Sequence, residues 1–307
     1  MDEFGIIAGF FAPLAGEGAF GLKDDAALIA PRPGQDLVVT TDAISENLDF
    51  LPADPPCAIA QKALRVNLSD LAAKGAEPAF YLLNLSLPHG VSPDWLAAFA
   101  DGLRADQQQF GITLLGGDTG ATAGPLTIAV TAFGFVPTGK MIRRGGARAG
   151  DAVYVTGTIG DSGGGLGVLR GEGESLGDGE RDYLTARYRL PEPPVFFAPR
   201  LRQIAHAAID ISDGLVADLG HLAAASGVRI VIEGERVPLS APLRALLGEA
   251  AIARAVTAGD DYQIAFTAPP GLEGPFTQIG TVAEGAGVDF LLAGQKLNMT
   301  SGGYRHF

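Results

Sequence analysis

Six aspartates, Asp25, Asp42, Asp70, Asp118, Asp210 and Asp213, carry the chemistry that this sequence is equipped to do. Most stand beside glycine or at the expected end of a strand, in Asp24-Asp25-Ala26-Ala27, Thr40-Thr41-Asp42, Gly116-Gly117-Asp118-Thr119 and Asp210-Ile211-Ser212-Asp213-Gly214. Loops of that kind are expected to converge on one rim of a sheet. Taken singly, each Asp is more often a turn or capping residue. Gathered in one cleft, they would repel one another unless a cation lay among them. Carboxylates with threonine hydroxyls form an all-oxygen set that suits Mg2+ far better than zinc. Magnesium in turn points to phosphate. Phosphoryl transfer needs mainly positioning and charge neutralisation, which carboxylates, metal and backbone amides can supply. An acceptor that is itself a phosphate, with a second pKa near ~6, would be ionised at neutral pH and would need no general base.

The elements that must hold these groups can be read from the same pattern. Ala60, Ala63, Leu64, Leu68 and Leu71 recur at three- and four-residue steps, so residues 56 to 74 are expected as one helix with a buried stripe, stopped at Gly75 and turned by Pro78 into a strand at 79 to 87. Asn67, Asp70 and Lys74 fall near one line of that helix. Asp70 is then either an oxygen ligand or half of a surface pair with Lys74. A strand is expected over Leu37 to Asp42, a helix over 93 to 110, a strand at 112 to 115 that ends in Gly116-Gly117-Asp118-Thr119, and a further strand over 125 to 136. A domain boundary is expected near 137 to 150, giving an amino-terminal domain of residues 1–140 and a carboxyl-terminal domain of 141–307.

In the second half, a strand at 152 to 156 leads into Gly157-Thr158-Ile159-Gly160-Asp161-Ser162-Gly163-Gly164-Gly165, which either cradles an anion or packs a helix tightly on a sheet. A helix is expected over 196 to 206, then a short strand to Ile209. Ser212 is expected to cap the helix through Leu219 and Leu222, and strands near 228 to 232 and 262 to 267 flank Gly259-Asp260-Asp261-Tyr262. Phe4, Ile7 and Phe11 suggest an amphipathic first helix.

Composition narrows the choice. The chain has 307 residues, room for two cores, and 43 glycines without a Gly-X-Y period, as expected of a compact protein with many tight loops. A net charge of −13 argues against a phosphate-backbone binder, so no nucleic acid is expected. The single cysteine, Cys57, reads as a core residue and leaves no disulfide framework, so a cytoplasmic protein fits. There is neither a basic leader nor a run approaching the ~20 apolar residues that cross a bilayer. Gly16-Glu17-Gly18-Ala19-Phe20-Gly21 follows a helix instead of a strand, and Gly134 to Lys140 has Met141 where a P-loop needs Ser or Thr. Both are chance matches. Four histidines and the lack of a G-x-S-x-G elbow leave hydrolases behind.

The ordered motifs resemble the thiamine-monophosphate kinase family, within the aminoimidazole ribonucleotide synthetase-like superfamily, essentially end to end. The likeness is carried by Asp24-Asp25-Ala26-Ala27, Thr40-Thr41-Asp42, Val66-Asn67-Leu68-Ser69-Asp70-Leu71-Ala72-Ala73, Gly116-Gly117-Asp118-Thr119, Gly160-Asp161-Ser162, Asp210-Ile211-Ser212-Asp213-Gly214-Leu215, Gly259-Asp260-Asp261-Tyr262 and Gly303-Tyr304-Arg305-His306-Phe307. The resemblance implies transfer of the γ-phosphoryl of ATP to thiamine monophosphate with several Mg2+ ions. It assigns Asp25, Thr40, Thr41, Asp42, Asp70, Asp118, Asp210 and Asp213 to metal, with Asp42, Asp70, Asp118 and Asp210 at the reaction centre. Gly117, Asp118, Arg144 and Ser212 would meet the nucleotide, and Asp49, Asp260 and Tyr304 the thiamine phosphate. It further implies a two-domain α/β fold and a homodimer whose amino-terminal strands form a barrel across the interface. Lys23 stands where the family usually has glycine, Asp49 where histidine is common, and Asp260 where glutamate is common. Asp49 would pair with the cationic thiazolium or the aminopyrimidine, or be a plain surface turn. The alternatives are a catalytically silent nucleotide and Mg2+ sensor, or another ATP-using enzyme of the superfamily such as a purine-pathway synthetase.

Overall fold

The computed structural model describes residues 2–297 and 303. The chain divides into two compact units, Met1–Leu71 with Ala76–Met141, and Ala72–Gly75 with Ile142–Phe307.

The first unit opens with a single helical turn, α1 (Glu3–Ile6), in which the Gly5 N–H is capped by the Asp2 carboxylate. The expected amphipathic helix does not continue. A wider π turn over Ile7–Phe11 and a 3-10 turn containing Pro13 replace it, because proline cannot donate into a helical ladder. Phe11 is buried and Phe4 stays exposed. Then follow β1 (Gln35–Ser45), α2 (Pro56–Ala73), β2 (Glu77–Pro88), α3 (Pro93–Phe110), β3 (Thr113–Thr122) and β4 (Thr127–Pro137). The strands form one sheet in the order β1-β4-β2-β3. Its β1/β4 and β2/β4 pairs are antiparallel and its β2/β3 pair is parallel.

Helix α2 buries Ala60, Ala63, Leu64, Leu68 and Leu71, each at most 2% exposed. It ends as its glycine dictates. Gly75 takes a φ of 71°, and the Ala76 N–H reaches back to the Leu71 carbonyl at 2.8 Å. Cys57 is exposed and not a core residue, since it lies off the buried stripe, yet its backbone is pressed against α3. A Cβ on Gly102 would stand 2.3 Å from the Cys57 carbonyl oxygen.

Two strands run further than their sequences suggest. Asp42 lies within β1, which stays paired to Ser45, and Gly116 to Thr119 lie within β3 instead of following it. The long strand β2 pairs with β3 on both sides of a register shift at Tyr81/Leu82, where Leu115 of β3 is the extra residue, and Gly117 beyond it takes a φ of 151°.

The second unit contains β5 (Ala152–Thr156), α4 (Asp161–Leu169), α5 (Asp178–Arg189), α6 (Ala198–Ile204), β6 (Ala207–Asp210), α7 (Leu215–Ser226), β7 (Arg229–Glu233), α8 (Ala241–Leu247), α9 (Ala251–Ala258), β8 (Ile264–Ala268), β9 (Phe276–Ala283), β10 (Gly287–Leu292) and β11 (Gln295–Leu297). Its mixed sheet has the order β11-β10-β7-β9-β5-β8-β6. Strands β5, β6 and β8 are buried at every residue. Val153, Val155, Ile209 and Ile230 join Leu215, Leu219 and Leu222 of α7 in the main core. The helix expected over 196 to 206 is shorter, because a 3-10 turn over Val195–Phe197 precedes α6.

The glycines at the start of α4 serve packing. A Cβ would meet Ala255 at 2.5 Å from Gly160, Ala258 at 2.5 Å from Gly163, and the Leu184 carbonyl oxygen at 2.0 Å from Gly165. Neither sheet closes into a barrel among the described residues, so the barrel expected of the amino-terminal strands is not formed within one chain. No helix among them is long and apolar enough to cross a membrane.

Candidate functional site

In the first unit, β1 and α2 bring one group of oxygen donors together. The Thr40 hydroxyl donates to the Asp70 carboxylate, and the Asp42 N–H donates to the Asn67 side-chain oxygen at 3.1 Å. Asn67, fully buried, also donates to the Ala63 carbonyl at 3.1 Å, so it cannot turn away. One helical turn separates Asn67 from Asp70, and Thr40 and Asp42 are two positions apart in the strand. Residues on one face of α2 thus meet alternate residues of β1. Thr41 lies between them and faces the other way, its hydroxyl 3.1 Å from the Val130 carbonyl and 3.0 Å from the Thr131 hydroxyl.

A second group lines a cavity of about 480 Å3, where Asp24, Asp25, Gly117 and Asp118 face Ile7, Phe11, Leu22 and Leu115. The Asp25 N–H donates to the Asp24 carboxylate at 2.9 Å. A side chain at Gly117 would put its Cβ 1.7 Å from the Leu83 carbonyl oxygen, so backbone alone can line the cavity there. These two groups sit at opposite edges of the sheet. Ala43, Ala129, Asn84 and Asp118 form one cross-strand row. Three strand spacings, roughly 14 Å, therefore separate the row's β1 and β3 ends. The chain does not bring Asp42 and Asp118 together.

Asp49 belongs to the loop after β1. Its carboxylate accepts the Ser45 N–H at 2.7 Å, and its carbonyl accepts the ammonium of the fully buried Lys62 at 2.7 Å. One carboxylate oxygen thus closes a turn.

In the second unit, Asp210 ends β6 and is buried, followed by half-buried Ser212 and Asp213. Ser212 does not cap α7 as its type suggests. The helix starts from Gly214, and Asp218 in its first turn ties down the turn before it: its Oδ2 accepts the N–H groups of Ser212, Asp213 and Gly214 at 3.0, 3.1 and 3.1 Å. The three amide donors oppose burial and the nearby Asp213 charge, which together push Asp218 up to about 7. Sequence reading missed Asp218 because a helix-interior Asp six residues after Ser212 looks like any solvated acid. Asp213, Asp218 and His221 each offer a ligand atom within 4.8 Å of the others.

Asp260 approaches the same turn through its backbone, its N–H donating to the Ser212 carbonyl at 2.7 Å. Gly303 also reaches it, because a Cβ there would lie 2.3 Å from the Asp213 carbonyl oxygen. Tyr304 lies outside the described residues. Arg144 is exposed, and its carbonyl accepts the Ser226 hydroxyl at 3.0 Å. The clustered side chains in both units offer mainly carboxylate and hydroxyl oxygens, with the His221 imidazole beside Asp213 and Asp218, and this chemistry fits hard divalent cations.

Residues 23–136 match the model of the AIR synthase related protein N-terminal domain, and residues 148–292 that of the corresponding C-terminal domain. The thiamine-monophosphate kinase of Salmonella typhimurium is 39% identical over 321 aligned residues, covering 99% of this chain and 98% of that protein. The chain belongs to the thiamine-monophosphate kinase family. The solved thiamine-monophosphate kinase of Stenotrophomonas maltophilia superimposes on it with a TM-score of 0.86 at 40% identity, covering 97% of this chain and 98% of that one. Another family structure, AaThiL complexed with AMPPCP and TMP, gives a TM-score of 0.83 at 34% identity over 99% of this chain and 97% of that chain. Family membership covers both units, so each group of donors lies in a matched region.

Proposed function

We propose that this chain is a kinase that transfers the γ-phosphoryl of ATP to thiamine monophosphate, giving thiamine diphosphate and ADP by direct in-line displacement. The observation that carries the reading is the end-to-end likeness to named thiamine-monophosphate kinases, one of them solved with an ATP analogue and TMP. The site chemistry supports it. Thr40, Asp42 and Asp70 on one edge, Asp25 and Asp118 on the other, and Asp210 and Asp213 in the second unit would hold Mg2+, with Thr41, whose hydroxyl faces the other way, contributing through its backbone carbonyl. Metal held there would supply charge neutralisation and orientation for the phosphates.

The chain's own residues bind and orient. Gly117 lines the cavity with backbone alone and, with Ser212 and Arg144 of the second unit, would meet the nucleotide. Asp49, Asp260 and Tyr304 are the acceptor contacts. The acceptor phosphate is ionised at neutral pH, so no side chain need remove a proton.

The proposal includes a cytoplasmic homodimer. Strand β1 is an edge strand with Leu37 44% and Val39 53% exposed, and β3 is the opposite edge. Laying the β1 edge of one copy against the β3 edge of another would close eight strands into a barrel. It would also set Thr40, Asp42 and Asp70 beside a second copy's Asp118, joining the donor groups that one chain keeps apart.

The test is incubation with ATP, Mg2+ and thiamine monophosphate, with free thiamine as a parallel acceptor and Asp42→Asn alongside. Stoichiometric thiamine diphosphate and ADP are expected from the monophosphate alone, and no turnover from the folded variant. Nucleotide binding without product would overturn the kinase reading in favour of a silent sensor.

A further inference from the structure

The loop from Gly259 to Tyr262 is bent into conformations that its residue types resist. Asp260 and Tyr262 both take positive φ, 59° and 50°. For a bulky side chain such as Tyr262 this is an outlier that persists only where the surroundings impose it. Three ties impose it here. The Asp260 N–H donates to the Ser212 carbonyl at 2.7 Å, and the Tyr262 N–H donates to the Ile211 carbonyl at 2.8 Å. Between them Asp261, 4% exposed, accepts the Gly160 N–H through both carboxylate oxygens at 2.9 and 2.8 Å. Gly259 leaves no slack, because a Cβ on it would lie 2.5 Å from the Ser212 carbonyl oxygen.

The pin at Asp261 is an uncomfortable one. Burial and the neighbouring Asp161 hold its carboxyl well above the usual range, and Asp161 is itself fixed by the hydroxyls of Thr158, Ser240 and Tyr183. A neutral residue would serve simple packing better. What the arrangement achieves lies at its half-buried end, at Asp260. The Asp260 carboxylate is presented with its Oδ1 accepting the Tyr262 hydroxyl at 3.1 Å, on a loop tied to the Ser212–Asp213 turn.

We propose that Asp261 is a positioning residue for the phosphate acceptor: pinned to the Gly160 amide, it forces Asp260 and Tyr262 into left-handed conformations and so aims the Asp260 carboxylate at the cationic acceptor. The proposal rests on the reading of Asp260 as an acceptor contact. Tyr262 is the second part of the device, fixing which way that carboxylate points.

The test is steady-state kinetics of Asp261→Asn, Tyr262→Phe, Asp260→Ala and the two doubles with Asp260→Ala, each substrate varied with the other saturating. Loss of a hydrogen bond that orients a charged group is expected to raise KM for thiamine monophosphate about tenfold in Asp261→Asn and roughly fivefold in Tyr262→Phe. KM for ATP should stay within about a factor of two of wild type, and the doubles should be no worse than Asp260→Ala alone, since residues acting through one group do not add. Asp260→Gly, which relieves the strain, should raise the same KM while leaving the melting temperature equal or higher, a combination that a purely structural role would not give.

If Asp260→Ala raises that KM but the other singles leave it unchanged, or add to it in the doubles, the positioning role is refuted and the acceptor reading stands. If Asp260→Ala has no effect, the acceptor reading falls and the proposal with it. Should Asp261→Asn fail to fold, Tyr262→Phe, which deletes one hydroxyl, decides the matter.

Discussion

Removing the carboxylate of Asp106 should unfold the first unit more readily than any change at its exposed acids. Asp106 is fully buried and Arg65 is 6% exposed. They join α3 to α2 through two parallel bonds, Nε to Oδ2 at 2.9 Å and Nη2 to Oδ1 at 2.8 Å. The Gln61 amide adds a third bond to Oδ1 at 2.8 Å, and the guanidinium carbon lies 5.4 Å from the centre of the Phe110 ring. In Asp106→Ala the guanidinium stays buried without its counter-charge and cannot deprotonate to escape. Breaking one side of a buried pair costs about 3–5 kcal/mol. Arg65 retains Gln109 at 3.2 Å, a neutral acceptor that does not replace the charge. With about 2.1 cal/mol/K of unfolding entropy per residue, a unit of this size should lose on the order of 10–17 °C in melting temperature. Replacing both partners, Arg65→Met with Asp106→Leu, removes the charge as well and should recover most of the loss. Urea denaturation followed by circular dichroism measures both variants. A cost below about 1 kcal/mol for Asp106→Ala, or a double variant as unstable as the single, would refute the reasoning.

Other perturbations test the remaining structure. Because the folded-state pKa of Asp261 is raised, its contribution to stability is full below the ordinary carboxylate range and is lost as pH rises through the folded value. The stability of Asp261→Asn relative to wild type should therefore grow with pH in parallel urea titrations, and a flat difference would show that burial does not dominate at that site. Saturating Mg2+ with ATP at about 100 times Kd should add about 2.7 kcal/mol of stability and a matching rise in melting temperature. No shift at saturation would mean that the acids do not share a ligand. Gly117→Ala meets the Leu83 carbonyl at 1.7 Å and a φ of 151°, so it should yield little soluble protein and, in what folds, lose nucleotide binding by calorimetry.

Much of the scaffold was legible because it is written in local periodicity. The five apolar residues of the α2 stripe are all buried, and Gly75 and Gly111 take the left-handed conformations that end their helices. Placing Asn67, Asp70 and Lys74 on one line also followed from spacing, and two of them reach β1 as that line allows. What escaped depends on partners far along the chain. Whether Asp42 and Asp118 end a strand or sit inside one is decided by the length of the neighbouring strand, which their own sequence does not record. Ser212 yields the α7 N-cap to Gly214 while Asp218 gathers the amides of the turn before it, and the Asp49 carboxylate accepts a nearby amide; in each case residue type leaves open which of several acceptors wins. Separation of the donor groups to opposite edges is a matter of strand order, 1-4-2-3, invisible to any window of residues.

The crowded face of α4 bears on how this stretch would look across many genomes. Every substitution that one nucleotide change can make in a glycine codon adds at least a Cβ, and at Gly160, Gly163 and Gly165 that atom falls within 2.5 Å of another chain segment. Selection would thus keep these residues as glycine for steric reasons alone. A glycine-rich signature here would survive even if the catalytic acids were lost, so its persistence in a sequence marks an intact helix packing and says nothing of whether the chain still turns over substrate.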